Sequence, residues 1–416
     1  MTVDALVIGG GIFGCHAAIY LAKQGKRVVL VEQDDQLIKR ASIVNQARLH
    51  AGYHYPRSIA TAKTSDTYIE RFRRDFADCI NDSYVHYYAI ARRGSLTDAA
   101  QFQHFCDYLQ LPCERVEHHP AFNYDQLEAV FAAKEDSFDP LLLAERYRAE
   151  VADYANIHVQ LNTRVGAVKL CAGASVSSHP SQDVGHQTGQ KQGREAKHDQ
   201  SSMNDYYQVE LRDTHDRSLF TVETPLVVNA TYASINTVNR QFGVGETPLL
   251  HEIAEMAFVK PVAAFENAAL TVMDGPFCSL MPYGKTGWHT LSSVAYTHQR
   301  VSYGAEPRFN CQNQNPNCHP SSTDDCSVCA AQPTSNYPKM VAQLRRYLRP
   351  DIGLRHTHSR FTIKAKLQAN HMDDGRPTAV KIHRYAPTYI MVFAGKVNSV
   401  YALESALESG LAKTPL

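Results

Sequence analysis

Residues 5–32 read ALVIGGGIFGCHAAIYLAKQGKRVVLVE. They form a buried strand, a glycine turn, a helix and a second strand that ends in an acid. Gly9, Gly11 and Gly14 fill the pattern G-x-G-x-x-G, with Ile12 and Phe13 between the last two. The first glycine allows the tight turn, the second lets the backbone approach a pyrophosphate, and the third lets the helix pack closely on the strand. The start of that helix offers unpaired N–H groups and a partial positive charge to phosphates. Glu32 follows Gly14 by 18 residues, near the ~20 at which an acid meets an adenosine ribose hydroxyl. The glycines alone also fit a plain strand–helix packing turn. With strand, turn, helix, strand and acid all in register, a dinucleotide site is expected.

The rest of the composition narrows the class. At 416 residues the chain exceeds one hydrophobic core, so two domains are expected. Forty-two basic residues cancel forty-two acidic ones, which gives no electrostatic footing for nucleic acid or an anionic membrane. No apolar run reaches the roughly 20 residues that cross a bilayer. The first strand begins at once, so no signal peptide is expected and a cytoplasmic location is. Cys15, Cys79, Cys106, Cys113, Cys171 and Cys278 are isolated, as suits reduced, buried thiols.

After Glu32, the stretch from Ser42 to Ser58 is dense in chemically able residues: Asn45, Arg48, His50, Tyr53, His54, Tyr55 and Arg57. An amphipathic helix is expected over 59–79, with Ile69, Phe72 and Phe76 at helical spacing. Residues 84–93 alternate as a strand, placing Tyr84, His86 and Tyr88 on one face. A helix is expected near 98–109, a strand near 129–133, and a helix opened by Asp139-Pro140 through about 154. Residues 157–170 look like a strand pair. Residues 171–205, rich in Ser, Gly, Gln and His, read as a flexible surface insertion. The sheet resumes at 206–211 and 219–230, and strand-like runs broken by Pro and Gly fill 249–303. Residues 309–336 are a second polar insertion, with Cys311, Cys318, Cys326 and Cys329 spaced C-x6-C-x7-C-x2-C. Four thiols in a loop without a core suit a structural zinc, and an insertion without metal fits equally; catalysis there is not expected.

The chain closes on a buried strand, a turn at Gly395-Lys396 and a helix starting near Asn398 or Ser399. This makes a second helix N-terminus aimed at a ligand. A nicotinamide has little use for one there. A flavin does, because its reduced ring carries negative charge, which Lys396 and the helix dipole would stabilise.

The opening fingerprint, ARLHAGYHYPRS (47–58), LVVNATY (226–232) and FAGKVNSV (393–400) together resemble the D-amino acid oxidase-like superfamily of FAD-dependent oxidoreductases. The resemblance spans all but the two insertions. NQARLHAGYHY (45–55) is similar to a segment of L-2-hydroxyglutarate oxidases but has Gln46 and Arg48 where small or apolar residues are usual. FAGK is similar to a turn of the glycerol-3-phosphate dehydrogenase branch, with Val397 replacing its tryptophan. The resemblance implies an α/β fold: a Rossmann-like FAD-binding domain (1–80, 140–240 and 345–416) interleaved with an α+β substrate domain (81–139 and 241–344) built on an antiparallel sheet. It places Val165 at the adenine, Ala230 and the residues Gly395, Lys396, Val397 and Asn398 at the cofactor, and His50 beside the flavin ring.

The expected activity is therefore oxidation of a small amino acid, amine or 2-hydroxy acid by hydride transfer to FAD, with oxygen or a quinone as the electron acceptor. His50 suits a general base through its near-neutral pKa. It could instead be a covalent flavin attachment point or a structural histidine. Arg48, Arg57, Arg360 and Arg376 are candidate carboxylate anchors, since a guanidinium binds a carboxylate through two parallel bonds. Tyr53, His54 and Tyr55 are candidate substrate contacts, although packing explains them as well. Lys364 and Lys366 share a strand face. Two rivals stand beside this reading: a flavin-dependent monooxygenase or non-redox flavoenzyme, and a non-catalytic FAD-binding assembly subunit. No second glycine fingerprint of comparable quality offers an NADPH domain.

Overall fold

The structure is a computed structural model describing residues 1–172, 205–261, 263–368 and 378–412, without the side chains of 64–66. The strands Ala5–Ile8 and Val28–Val31 pair in parallel, as their unbroken apolar runs require. They lie inside a six-stranded sheet ordered Ala379–Tyr385, Thr388–Phe393, Leu226–Asn229, Ala5–Ile8, Val28–Val31, Ile157–Gln160, antiparallel only at its first pair. Both faces are covered. Ala5, Val7, Val28 and Leu30 pack under the helices Ile12–Lys23 and Pro140–Asp153. Leu6, Ile8, Val29 and Val31 face a three-stranded antiparallel sheet through Tyr207, Val209 and Leu211.

A nine-stranded, largely antiparallel sheet forms the second part. Its strand Leu249–Lys260 pairs with His289–Ser293, His298–Gly304 and Arg355–Leu367, and the helix Tyr337–Arg345 packs on the sheet's apolar face. Val85–Ala91 and Leu127–Ala133 extend it as a hairpin-like pair.

Several expectations change. The helix over 59–79 is two helices, Ile59–Asp66 and Ile69–Asp75, and a 3-10 turn. The hydroxyl-rich run from Thr61 to Thr67 has poor helix propensity and competes for backbone partners. Ile157–Gln160 and Thr163–Cys171 are strands but not partners: the first joins the parallel sheet and the second the three-stranded one. Arg355–Leu367, expected in the nucleotide-binding part, is paired along its length with Leu249–Lys260 in the larger sheet. The final α-helix begins only at Glu404, because Val397–Leu403 is a 3-10 helix; the α-helical dipole expected at Asn398 is thereby displaced. Residues 173–204 of the expected flexible insertion lie outside the described residues.

Candidate active site

A cleft of about 360 Å³ opens beyond the carboxyl ends of the parallel strands, lined where each strand leaves the sheet by Gly9, Glu32 and Ala230. This is where open α/β sheets bind ligands. The glycines divide by role. A Cβ on Gly14 would stand 1.8 Å from the Gly9 carbonyl oxygen, so this residue buries the helix against the turn and does not reach the cleft. Gly9 has φ +100, and a Cβ there would meet the Ala230 carbonyl oxygen at 2.7 Å. Gly11 is different. A Cβ on it would meet nothing closer than Ser42 Oγ at 3.2 Å, and both residues line the cleft. Its missing side chain is cleft space, which fits a bound pyrophosphate.

One group of lining residues surrounds Glu32. Its carboxylate accepts from the amides of Gly10 (2.7 Å) and Asp34 (2.9 Å), and burial pushes its pKa up. Arg40 forks onto Asp34 at 2.7 Å through both Nε and an amino group, and donates to the Thr323 carbonyl at 2.9 Å. Val165 and Arg164 complete this wall.

A second group comprises Arg48, His50, Tyr55, Gly395, Lys396 and Val397. His50 is half-buried, its ring 5.7 Å from those of His54 and Tyr55, and its buried Nδ1 has no hydrogen-bond partner. Burial holds its pKa well below the ordinary histidine value, with the Glu135 charge pulling the other way and Arg48 assisting burial. The imidazole is therefore neutral at physiological pH. Lys396 Nζ lies 4.8 Å from the Tyr55 ring centroid.

Behind His50 lies a buried polar cluster centred on Glu135. Its carboxylate accepts from Tyr88 Oη (2.5 Å) and the Ala51 amide (3.0 Å), with His86 Nδ1 at 3.3 Å and Arg48 Nε at 3.7 Å. Burial would raise its pKa, but His86 and Arg48 overcome this and hold it ionised. Tyr88→Phe, which removes one donor from this carboxylate, should lower stability by about 1.5–3 kcal/mol in urea unfolding.

Acid should destabilise the protein in a defined window. Burial depresses His86, His251 and His289 to about 4, below the unfolded ~6.5. The unfolded chain binds more protons between those values, so stability falls as pH drops from about 6.5 to 4, by up to ~1.4 kcal/mol per unit for each histidine. Glu135 extends the loss to lower pH, while Glu32, with its raised pKa, opposes it slightly. Thermal unfolding at fixed FAD concentration across this range checks the sign.

Of the residues singled out in the sequence, Gly9, Gly11, Ile12, Phe13, Glu32, Arg48, His50, Tyr55, Val165, Ala230, Lys364, Gly395, Lys396 and Val397 line the cleft. Asn398 is buried outside the lining. Tyr53 is not brought to the cleft: its hydroxyl donates to the Pro112 carbonyl at 2.7 Å and its ring stacks on Tyr88 at 5.5 Å, a packing role. Arg48 donates to Thr271 Oγ1 at 2.7 Å and stands 3.2 Å from His54 Nδ1, so its amino groups are engaged within the protein rather than forked toward a ligand. Arg57 is paired with Asp274 at 2.6 Å, Lys366 with Glu252 at 2.8 Å, and Arg360 is outside the lining. Arg376 lies outside the described residues. Arg40, Ser42, Thr323 and Glu135 were not anticipated. The first two follow the second strand closely enough to have been suspected, whereas Thr323 and Glu135 arrive from distant segments with no local signal.

The family model described as DAO, FAD dependent oxidoreductase, matches residues 4–287. The chain is 39% identical over 92 residues to the FAD-dependent monooxygenase FPY4 of Fusarium mangiferae, covering 22% of this chain and 25% of that protein. It is 30% identical over 172 residues to the FAD-dependent monooxygenase kojA of Aspergillus flavus, covering 39% of each. The matches thus span a quarter to two-fifths of these relatives' length. Among solved structures, glycine oxidase from Geobacillus kaustophilus superposes with a TM-score of 0.63 at 14% identity, over 99% of this chain and 94% of that one. FAD-bound L-alpha-glycerophosphate oxidase from Mycoplasma pneumoniae gives 0.64 at 12%, over 100% and 95%. Among the described residues no helix is long and apolar enough to cross a membrane.

Proposed function

Because this chain belongs to the DAO family of FAD-dependent oxidoreductases, we propose that it oxidises a small amino acid, amine or 2-hydroxy acid at a C–O or C–N bond, with His50 as the base. The observation that carries this reading is the half-buried, neutral His50, whose Nδ1 is unpartnered in a cleft wall it shares with Lys396. Bound FAD supplies the two-electron acceptor. Gly9, Gly11, Ile12, Phe13, Glu32, Val165 and Ala230 would hold its dinucleotide part, and Gly395, Lys396 and Val397 would lie toward its ring. His50 takes the proton from the substrate hydroxyl or ammonium as the carbon gives up hydride. Lys396 brings a positive charge to this end of the cleft, which suits a carboxylate, whereas Glu135 offsets the charge of Arg48. Oxygen or a quinone would serve as the final electron acceptor. Ten unpaired cysteines suit work in the cytoplasm.

The names of the curated relatives favour a second reading, a monooxygenase. Anaerobic mixing separates the two. Under the first, a carboxylate substrate alone reduces the flavin; under the second, reduction needs NADPH and the product carries an oxygen atom from labelled dioxygen.

A further inference from the structure

The segment 309–336 is not the coreless insertion its composition suggests. Phe309, Cys311 and Cys326 pack with Ile253, Phe361 and Ile363 of the larger sheet. The sulfur-bearing residues Cys311, Cys318, Cys326 and Cys329 all line one small cavity of about 20 Å³, closed by Ile253, Phe309 and Ile363. That is room for a single small atom. None of the four is in a disulfide. Three N–H donors are directed at the sulfurs: the Asp324 amide to Cys318 Sγ (3.5 Å), the Ala331 amide to Cys329 Sγ (3.4 Å) and Asn315 Nδ2 to Cys329 Sγ (3.2 Å). Such bonds add little to a neutral thiol, a weak acceptor, and much to a thiolate. Apart from the 3-10 turn Asn310–Gln314, the segment holds no helix or strand before Tyr337.

We propose that Cys311, Cys318, Cys326 and Cys329 bind one structural Zn²⁺ as thiolates, and that this ion fixes the wall of the nucleotide cleft. Four soft sulfur donors favour Zn²⁺ in tetrahedral geometry, and Cys326-x2-Cys329 has the tight spacing of a chelating pair. Among the described residues no group of three or more His, Cys, Asp or Glu is already in a geometry that could hold a metal. Binding therefore draws the sulfurs inward onto the cavity and releases their protons to solvent. The coupling to the cleft is direct. Thr323, Asp324, Asp325 and Cys326 line it. Thr323 accepts from Arg40, which also grips Asp34 beside Glu32, and Ser322 bonds Arg164. A loosened segment would release this wall at its nucleotide end.

The test uses the full-length FAD-loaded protein purified under reducing conditions. We expect about one zinc per chain by mass spectrometry, retained through gel filtration and released by p-mercuribenzoate. The double variant Cys326→Ser/Cys329→Ser should lack it and bind FAD about tenfold more weakly. Cobalt exchange into the wild type should give thiolate charge-transfer bands, which keeps the test decisive even if the variant does not fold. Protein that contains no zinc and takes none from a competing chelator overturns the site, as does zinc unchanged in the double variant. Zinc removed from the wild type with no loss of FAD affinity overturns the link to the cleft.

Discussion

Replacing Gly11 with valine should leave the protein folded and strip it of flavin. Gly11 has extended backbone at φ −73 and ψ −179, which any residue adopts. Its Cβ would meet only Ser42 Oγ, at 3.2 Å, so the fold need shift by a few tenths of an ångström at most. The isopropyl group would instead occupy the cleft between the glycine turn and Ser42, where the pyrophosphate is proposed to lie. We expect FAD affinity to fall on the order of a hundredfold, equivalent to about 2.7 kcal/mol, with far-UV circular dichroism unchanged. Gly14→Ala is the contrasting control. Its Cβ at 1.8 Å from the Gly9 carbonyl forces helix and turn apart, so it should lose stability and flavin together. Bound-flavin absorbance and thermal unfolding, measured on both variants, separate a cofactor contact from a packing requirement.

His50→Ala should leave flavin content intact and slow flavin reduction at saturating substrate by roughly 10²–10⁴-fold, the usual contribution of a general base. The ring's Nδ1 has no partner to lose, so the structural cost is that of the vacated volume. The pH profile supplies the sign. Burial lowers the His50 pKa, so the base is protonated and lost only below the ordinary ~6.5. Wild-type reduction should therefore hold from neutrality down past that value, then fall in more acid solution, and the variant should lack this limb. A structural histidine would leave both rate and profile unchanged. A covalent attachment point would show as flavin that stays with denatured wild type and leaves denatured His50→Ala.

The nucleotide end of the cleft was far more legible in the sequence than the surroundings of His50. The nucleotide fingerprint is local: strand, turn and helix are contiguous, and the Cβ distances at Gly9 and Gly14 bear out the packing reasons read from spacing alone. His50, Lys396 and Val397 reach the same cleft wall from opposite ends of the chain; the turn chemistry at Gly395 and the family resemblance made that meeting foreseeable. Tyr53 shows the limit. It sits between residues of the cleft stretch, yet a hydroxyl bond to Pro112 turns it into the core, and no local pattern distinguishes it from Tyr55. Glu135 was invisible for a different reason. Its meaning comes from His86, Tyr88 and Arg48 converging from other segments, and long-range convergence leaves no periodicity. The cysteine segment was legible as a cluster but not as a packed one, because the apolar residues it rests on, Ile253, Phe361 and Ile363, belong to strands distant in sequence.

An anaerobic absorbance titration of the FAD-loaded protein, run beside His50→Ala, tests the account at its centre. The titrants are D-amino acids, N-methylated glycines and 2-hydroxy acids. We predict that one of these classes bleaches the wild-type flavin band stoichiometrically without NADPH, and that His50→Ala bleaches at least a hundredfold more slowly with the same compound. A flavin that no carboxylate bleaches and NADPH does, or equal bleaching rates in the two proteins, would contradict it.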